Sequence, residues 1–151
     1  MVEISIVIGS ESDRELGSKA AAILEEFGVD HEVQVYSAHR SPRALQEYVE
    51  SSGARVFVAI AGLSAALPGA IAAHTVRPVI GVPKEVKLGG LDSLLSMVQM
   101  PTGVPVACVG IDNARNGALL AVEILALIDE SLREKMVDYR RKRARASSPR
   151  T

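Results

Sequence analysis

The sequence predicts a doubly wound α/β fold, a three-layer α/β/α sandwich with a C-terminal helical arm. Three observations carry this. Five short runs rich in Val and Ile recur along the 151 residues. Longer stretches with helical spacing separate them, and the runs are apolar nearly throughout instead of alternating, as strands buried on both faces are. Each crossover helix must bury one strand face, so such strands line up in a parallel sheet covered on both sides. A chain of this length with 48% hydrophobic residues fills one core and predicts one domain. With two Phe, three Tyr and no Trp, that core is built from Ala, Val, Ile and Leu.

The elements follow in order. "EISIVIG" (residues 3–9) is preceded by no basic region and followed by no small-residue cleavage site, so it reads as a strand and not as a signal peptide. Residues 13–27 place Leu16, Ala20, Ala21, Leu24 and Phe27 on one helical face, with Gly28 positioned to end the helix. "HEVQVYS" (31–37) is the second strand, and the Ser41-Pro42 pair suits the N-cap and first position of a helix over 42–52. "RVFVAIAG" (55–62) is the third strand, followed by a short helix over 68–74. Residues 56–73 are uncharged and as long as a short membrane span, but Gly62, Pro68 and Gly69 break them. A buried strand and a buried helix explain them better. "RPVIGVP" (77–83) and "VPVACVG" (104–110) are the fourth and fifth strands, with "GLDSLLSMVQM" (90–100) as the helix between them. Cys108, the only cysteine, reads as a small strand hydrophobe, and a lone cysteine permits no disulfide within the chain, in keeping with a reducing cytoplasm. The longest helical stretch starts near Asn113, with a break expected near Asp129 and a charged arm beyond it.

Charge divides the chain. From Arg140 the sequence "RRKRARASSPR" holds six basic residues and no acid, leaving eleven basic against eighteen acidic residues, a body near −7. An acidic body argues against a nucleic-acid surface. The domain is therefore expected over residues 1–139, with 140–151 a basic, flexible tail.

Chemistry is expected beyond the C-terminal ends of the strands, where such sheets bind ligands. Four polar clearings fall there: "GSESD", "SAHRSP", "AGLSAALPG" and "PKEVKLGGLDS". In the first, Gly9, Ser10, Ser12 and Asp13 combine close backbone approach, hydroxyls and helix-start amides that favour an anion. An ordinary N-cap at Ser12 or Asp13 explains the same residues. It is neither a dinucleotide fingerprint nor a Walker loop. In the second, Ser37, His39, Arg40 and Ser41 crowd into one loop. His39 can carry a proton near neutral pH, and Arg40 can grip a phosphate or carboxylate through a fork. Gly62, Ser64 and Ala66 in the third leave amides open for a planar ligand or carboxylate, or simply permit close helix packing. His31 reads as a surface strand start and His74 as a helix C-terminus.

"IGSESD", "SAHRSP", "ALPGAIAAHT", "PVIGVP", "GLDSLLSMVQMPTGVPVA" and "NARNGALLA" resemble, in order and spacing, the PurE family of purine biosynthesis, over residues 2 to about 127. That family comprises 5-(carboxyamino)imidazole ribonucleotide mutase and phosphoribosylaminoimidazole (AIR) carboxylase. The resemblance implies a flavodoxin-like domain in a cytoplasmic homo-octamer that uses no metal or organic cofactor and binds neither nucleic acid nor membrane. It implies a reaction that moves the carboxylate of the N-carboxylated nucleotide to the ring carbon through carbon dioxide. The alternative is direct carboxylation of aminoimidazole ribonucleotide by carbon dioxide, and a further one is a nucleotide-binding oligomer without catalysis. By motif position, Ser10, Asp13 and Arg40 would hold the ribose phosphate and His39 would shuttle the proton at the carboxylated carbon. Ser12, Ser37, Gly62 and Ser64 would complete the substrate site. One position departs: mutase-type members usually carry a second histidine in the third loop where this chain has Ala66, while Ser64 matches a serine of the carboxylase type.

Overall fold

The structure, a computed structural model, describes residues 1–147. All five strands form one parallel sheet: β1 (Ile4–Ile8), β2 (His31–Val35), β3 (Val56–Gly62), β4 (Val79–Lys84) and β5 (Ala107–Cys108), in the order β2-β1-β3-β4-β5. Four helices join them, α1 (Arg14–Phe27), α2 (Pro42–Ser51), α3 (Leu67–Ala72) and α4 (Leu91–Val98), and two follow the last strand, α5 (Ala114–Ala126) and α6 (Glu130–Ser147). The three-layer sandwich expected from the sequence is what forms.

Two-sided burial follows from strand alternation. Ile4, Ile6, Ile8, Val56, Val58, Ile60, Ile80 and Val82 point to the layer made by α1 and α5. Val7, Phe57, Ala59, Ala61 and Val79 point to the layer made by α2, α3 and α4. The small-residue core lets backbones approach closely. A Cβ built on Gly117 of α5 would lie 2.7 Å from Val82 Cγ2 and 3.3 Å from Val58 Cγ1. The opposite end of the sheet from the strand tips is tied by Arg77, whose guanidinium donates to the carbonyls of Val49, Ser52 and Ala54 and lies 4.8 Å from the Phe57 ring centroid.

Some boundaries shift for identifiable reasons. β5 takes only two residues of the run 104–110, because Pro105 has no N–H to offer the ladder. Cys108 is half-buried there, and burial pushes its thiol up, which disfavours the nucleophilic thiolate. A separate 3-10 turn, Glu11–Asp13, precedes α1, which starts one residue after the expected Asp13 and closes on Gly28 at φ 69°. The break near Asp129 is present, with Asp129 Oδ1 accepting the Leu132 N–H at 3.1 Å to start α6. Helix α6 packs back on the body through Leu132, Met136 and Tyr139, the last 5.4 Å from Phe27, while Lys135 donates to the Phe27 carbonyl at 2.8 Å. Residues 140–147, placed by the sequence in a basic tail, continue α6. They are Arg, Lys, Ala and a final Ser, mostly good helix formers, and Arg140 pairs with Glu123 of α5. Residues 148–151 of the expected tail lie outside the described residues. Among the described residues no helix is long and apolar enough to cross a membrane.

At Gly117 an alanine would gain about 1 kcal/mol of helix propensity but must push a rigid β4 valine, an overpacking cost of about 1–3 kcal/mol. Gly117→Ala should therefore lower the urea midpoint of unfolding at an unchanged m-value. A midpoint above the parent's would show that the α5–sheet contact is looser than the distances require.

Candidate active site

The sheet order reverses between β1 and β3, so the crossovers on either side leave for opposite faces and their loops part at the C-terminal rim. A cleft of about 520 Å³ opens there. It is lined by Gly9, Ser10, Ser12 and Asp13 after β1; Ser37, Ala38, His39 and Arg40 after β2; Ala61 to Leu67 other than Ala65 around the end of β3; and Val86 after β4. All eight residues singled out as site candidates, His39 with Ser10, Ser12, Asp13, Ser37, Arg40, Gly62 and Ser64, line this one cleft.

The first loop is braced from within. Asp13, 5% exposed, accepts the Ser10 N–H on Oδ2 at 3.1 Å, the backward half of a capping box. Its other oxygen, Oδ1, lies 3.0 Å from Lys84 Nζ, and Lys84 also donates to the Ser12 carbonyl at 2.6 Å. The Ser10 and Ser12 hydroxyls share a hydrogen bond at 2.6 Å. The division of labour follows from donor chemistry. Hydroxyls can donate to a phosphate, whereas an ionised carboxylate only accepts, so Asp13 suits a sugar hydroxyl or the loop itself.

In the second loop Ser37 is the hinge. Its Oγ accepts the Arg40 backbone N–H at 3.1 Å and Arg40 Nε–H at 3.3 Å, and its carbonyl accepts the Ser41 hydroxyl at 3.1 Å. One edge of the guanidinium is thereby aimed, and the side chain forms no ion pair among the described residues. Pro42 then opens α2. Beneath the loop Tyr36 stacks on Tyr48 with ring centroids 4.8 Å apart, and Tyr48 donates to Glu32 at 2.6 Å. Burial and the Glu32 carboxylate hold the Tyr48 phenol well above its usual range, so it stays a donor. His39 is exposed, and its imidazole makes no hydrogen bond to another described residue. Both ring nitrogens are open to a ligand.

The third loop is apolar and tight. Leu63 adopts φ 55°, a left-handed conformation uncommon for a leucine, and the Ser64 carbonyl accepts the Ala66 N–H at 2.8 Å. A Cβ on Gly62 would lie 2.6 Å from Val86 Cγ2, so the glycine is required by close approach of the β4 loop. Ala66 presents only a methyl group where a second histidine would stand. The other histidines lie elsewhere: His31 Nδ1 is 2.9 Å from the Val29 carbonyl, and His74 Nδ1 is 3.8 Å from Glu50. Neither lines the cleft.

Sequence reasoning missed Lys84, Leu63 and Val86. Lys84 stood inside the fourth clearing, where a lysine at a strand end looks like a solvated residue. Its reach to Asp13, 71 positions away in the numbering, depends on β1, β3 and β4 lying side by side.

The chain matches the AIR carboxylase family model over residues 3–146. It is 58% identical to the N5-carboxyaminoimidazole ribonucleotide mutase of Methanocaldococcus jannaschii, over 92% of this chain and 88% of that protein. To the Pyrococcus abyssi protein of the same name it is 53% identical, covering 93% and 83%. It resembles the crystal structure of Treponema denticola PurE with a TM-score of 0.83 and 29% identity, covering 95% of this chain and 92% of that one. A matched model spanning nearly every described residue, together with relatives identical at more than half their aligned positions, shows that this chain belongs to the AIR carboxylase family.

Proposed function

We propose that this protein acts in purine biosynthesis as an N5-carboxyaminoimidazole ribonucleotide mutase, moving the carboxylate from the exocyclic nitrogen to the neighbouring ring carbon to form 4-carboxy-5-aminoimidazole ribonucleotide. The observation that carries this reading is the meeting of an unpartnered imidazole, His39, and an aimed guanidinium, Arg40, in the one cleft at the strand ends. The names of the relatives support it.

The chemistry assigns each group a task. Arg40 and the Ser10 and Ser12 hydroxyls take the phosphate, and Asp13 accepts from a ribose hydroxyl. When the N-carboxylate leaves as carbon dioxide, the nitrogen needs a proton. When the ring carbon then attacks the gas, that carbon carries one proton too many and the ring is not aromatic until it leaves. A His39 that reaches both atoms of the bound azole would give the first proton and take the second, a contribution of roughly 10²–10⁴ in rate. The methyl and methylene wall of the third loop offers carbon dioxide no polar exit while it waits.

A homo-octamer in the cytoplasm completes the proposal. Leu88, Leu91, Leu95 and Val98 are each about half exposed or more, with Leu88 at 78%. Such a stripe along α4 and the turn just before it supports burial against other copies. One specific observation favours a second reading, direct carboxylation of aminoimidazole ribonucleotide: the third loop holds Ser64 and Ala66 in place of a mutase-type histidine.

Three outcomes are expected. His39→Asn should lose turnover by about 10² or more while still binding aminoimidazole ribonucleotide in calorimetry; turnover equal to the parent's would remove the imidazole from the mechanism. Arg40→Ala should weaken nucleotide binding by about 2–3 kcal/mol through loss of a charge-assisted pair, and unchanged affinity would refute its placement on the phosphate. Supplied at equal concentration, the N-carboxylated nucleotide should be converted faster than aminoimidazole ribonucleotide with bicarbonate. The reverse ranking would establish the second reading.

A further inference from the structure

The fourth loop brings to the cleft a charge that the reaction above does not use. Lys84 ends β4 opposite Gly62 in the β3–β4 register, and reaches the loop after β1. Nζ lies 3.0 Å from Asp13 Oδ1 and donates to the Ser12 carbonyl at 2.6 Å. The two side chains are 21% and 7% exposed, so solvent screens this pair far less than an ordinary surface pair. Lys84 is not itself among the lining residues, whereas Ser12 and Asp13 are. Its contacts therefore fall on residues that line the cleft.

A buried carboxylate without a counter-ion is strongly disfavoured, and its field would oppose a phosphate arriving at Ser10 and Ser12. We propose that Lys84 is a positioning residue of the nucleotide site, which compensates the Asp13 charge and pins the loop after β1 so that its hydroxyls receive an anionic sugar phosphate. The inference rests on the nucleotide reading given above. Lys84 differs in kind from Arg40: one grips the phosphate directly, the other prevents a neighbour from repelling it.

The test is a double-mutant cycle read by calorimetry with aminoimidazole ribonucleotide, on the parent, Lys84→Met, Lys84→Arg, Asp13→Asn and the Asp13→Asn/Lys84→Met pair, with steady-state kinetics alongside. Lys84→Met should weaken binding and raise KM about tenfold or more, with kcat within about threefold of the parent. Lys84→Arg should restore binding to within about threefold. In the Asp13→Asn background, where there is no charge to compensate, adding Lys84→Met should change affinity by less than about threefold. A Lys84→Met protein that binds like the parent overturns the inference and leaves the functional reading standing. A tenfold loss in the Asp13→Asn background also overturns it, because Lys84 would then act on the nucleotide directly. Should Lys84→Met not fold, the comparison of Asp13→Asn with the pair decides by the same threshold. A parent protein that does not bind the nucleotide at all removes the functional reading and this inference together.

Discussion

Everything in this molecule depends on a sheet that is dry on both faces. β1, β3 and β4 are buried along nearly their whole length, between α1 and α5 on one side and α2, α3 and α4 on the other. Such strands cannot carry chemistry on their faces, since a polar group there would have to be desolvated and matched. Ser5 is the exception among their buried residues, and its hydroxyl is matched by Tyr48. Reactive side chains are thus confined to the strand tips. Because the strand order turns around between β1 and β3, the tips of β1, β2 and β3 enclose a volume instead of forming a flat edge.

Charge within that volume is arranged in two tiers. Asp13 and Lys84 form a pair that is largely withdrawn from solvent, while Arg40 and His39 are exposed and open to a ligand. The first pair is spent on loop geometry, because its contacts run to Ser10 N–H and the Ser12 carbonyl. The second is held only as far as it needs to be. Ser37 fixes Arg40 through Nε and leaves the terminal nitrogens without an ion pair among the described residues. The withdrawn pair braces the loop after β1, and the exposed pair faces the open cleft.

Much of the fold was legible in the sequence because its signals are local. Near-continuous Val/Ile runs mark strands buried on both faces, and Gly28, Ser41-Pro42 and Asn113 mark helix ends by their own backbone chemistry. The site loops were legible for a related reason: a run of small and polar residues right after an apolar strand has few places to be except the rim. What could not be read depends on contacts far apart in the chain. Lys84 meets Asp13 only because two parallel strand pairs carry β1 beside β3 and β3 beside β4. The strained φ of Leu63 has no sequence marker, since a leucine there gives no hint of the turn it is forced to make. The contact of Arg140 with Glu123 was not legible either, because a cluster of like charge suggests a solvated tail and the partner sits on another helix, α5.

Ala66 bears on how one imidazole could serve the proposed reaction. Moving a carboxylate between two atoms of one substrate consumes a proton at nitrogen and releases one at carbon, so the balance closes within the cleft. A single imidazole closes that balance by giving a proton to nitrogen as the N-carboxylate leaves and taking one from carbon afterwards, and a methyl at position 66 costs the cycle nothing provided His39 reaches both atoms. Direct carboxylation is different, because the proton lost from carbon has no acceptor on the substrate and must reach solvent. An exposed His39 could release it there, so exposure alone does not separate the two. The separation lies in where the proton taken from the ring carbon ends up. In the mutase cycle that proton restores the imidazolium spent on nitrogen earlier in the same turnover, so none is released overall, whereas carboxylation releases one proton to solvent for every nucleotide converted.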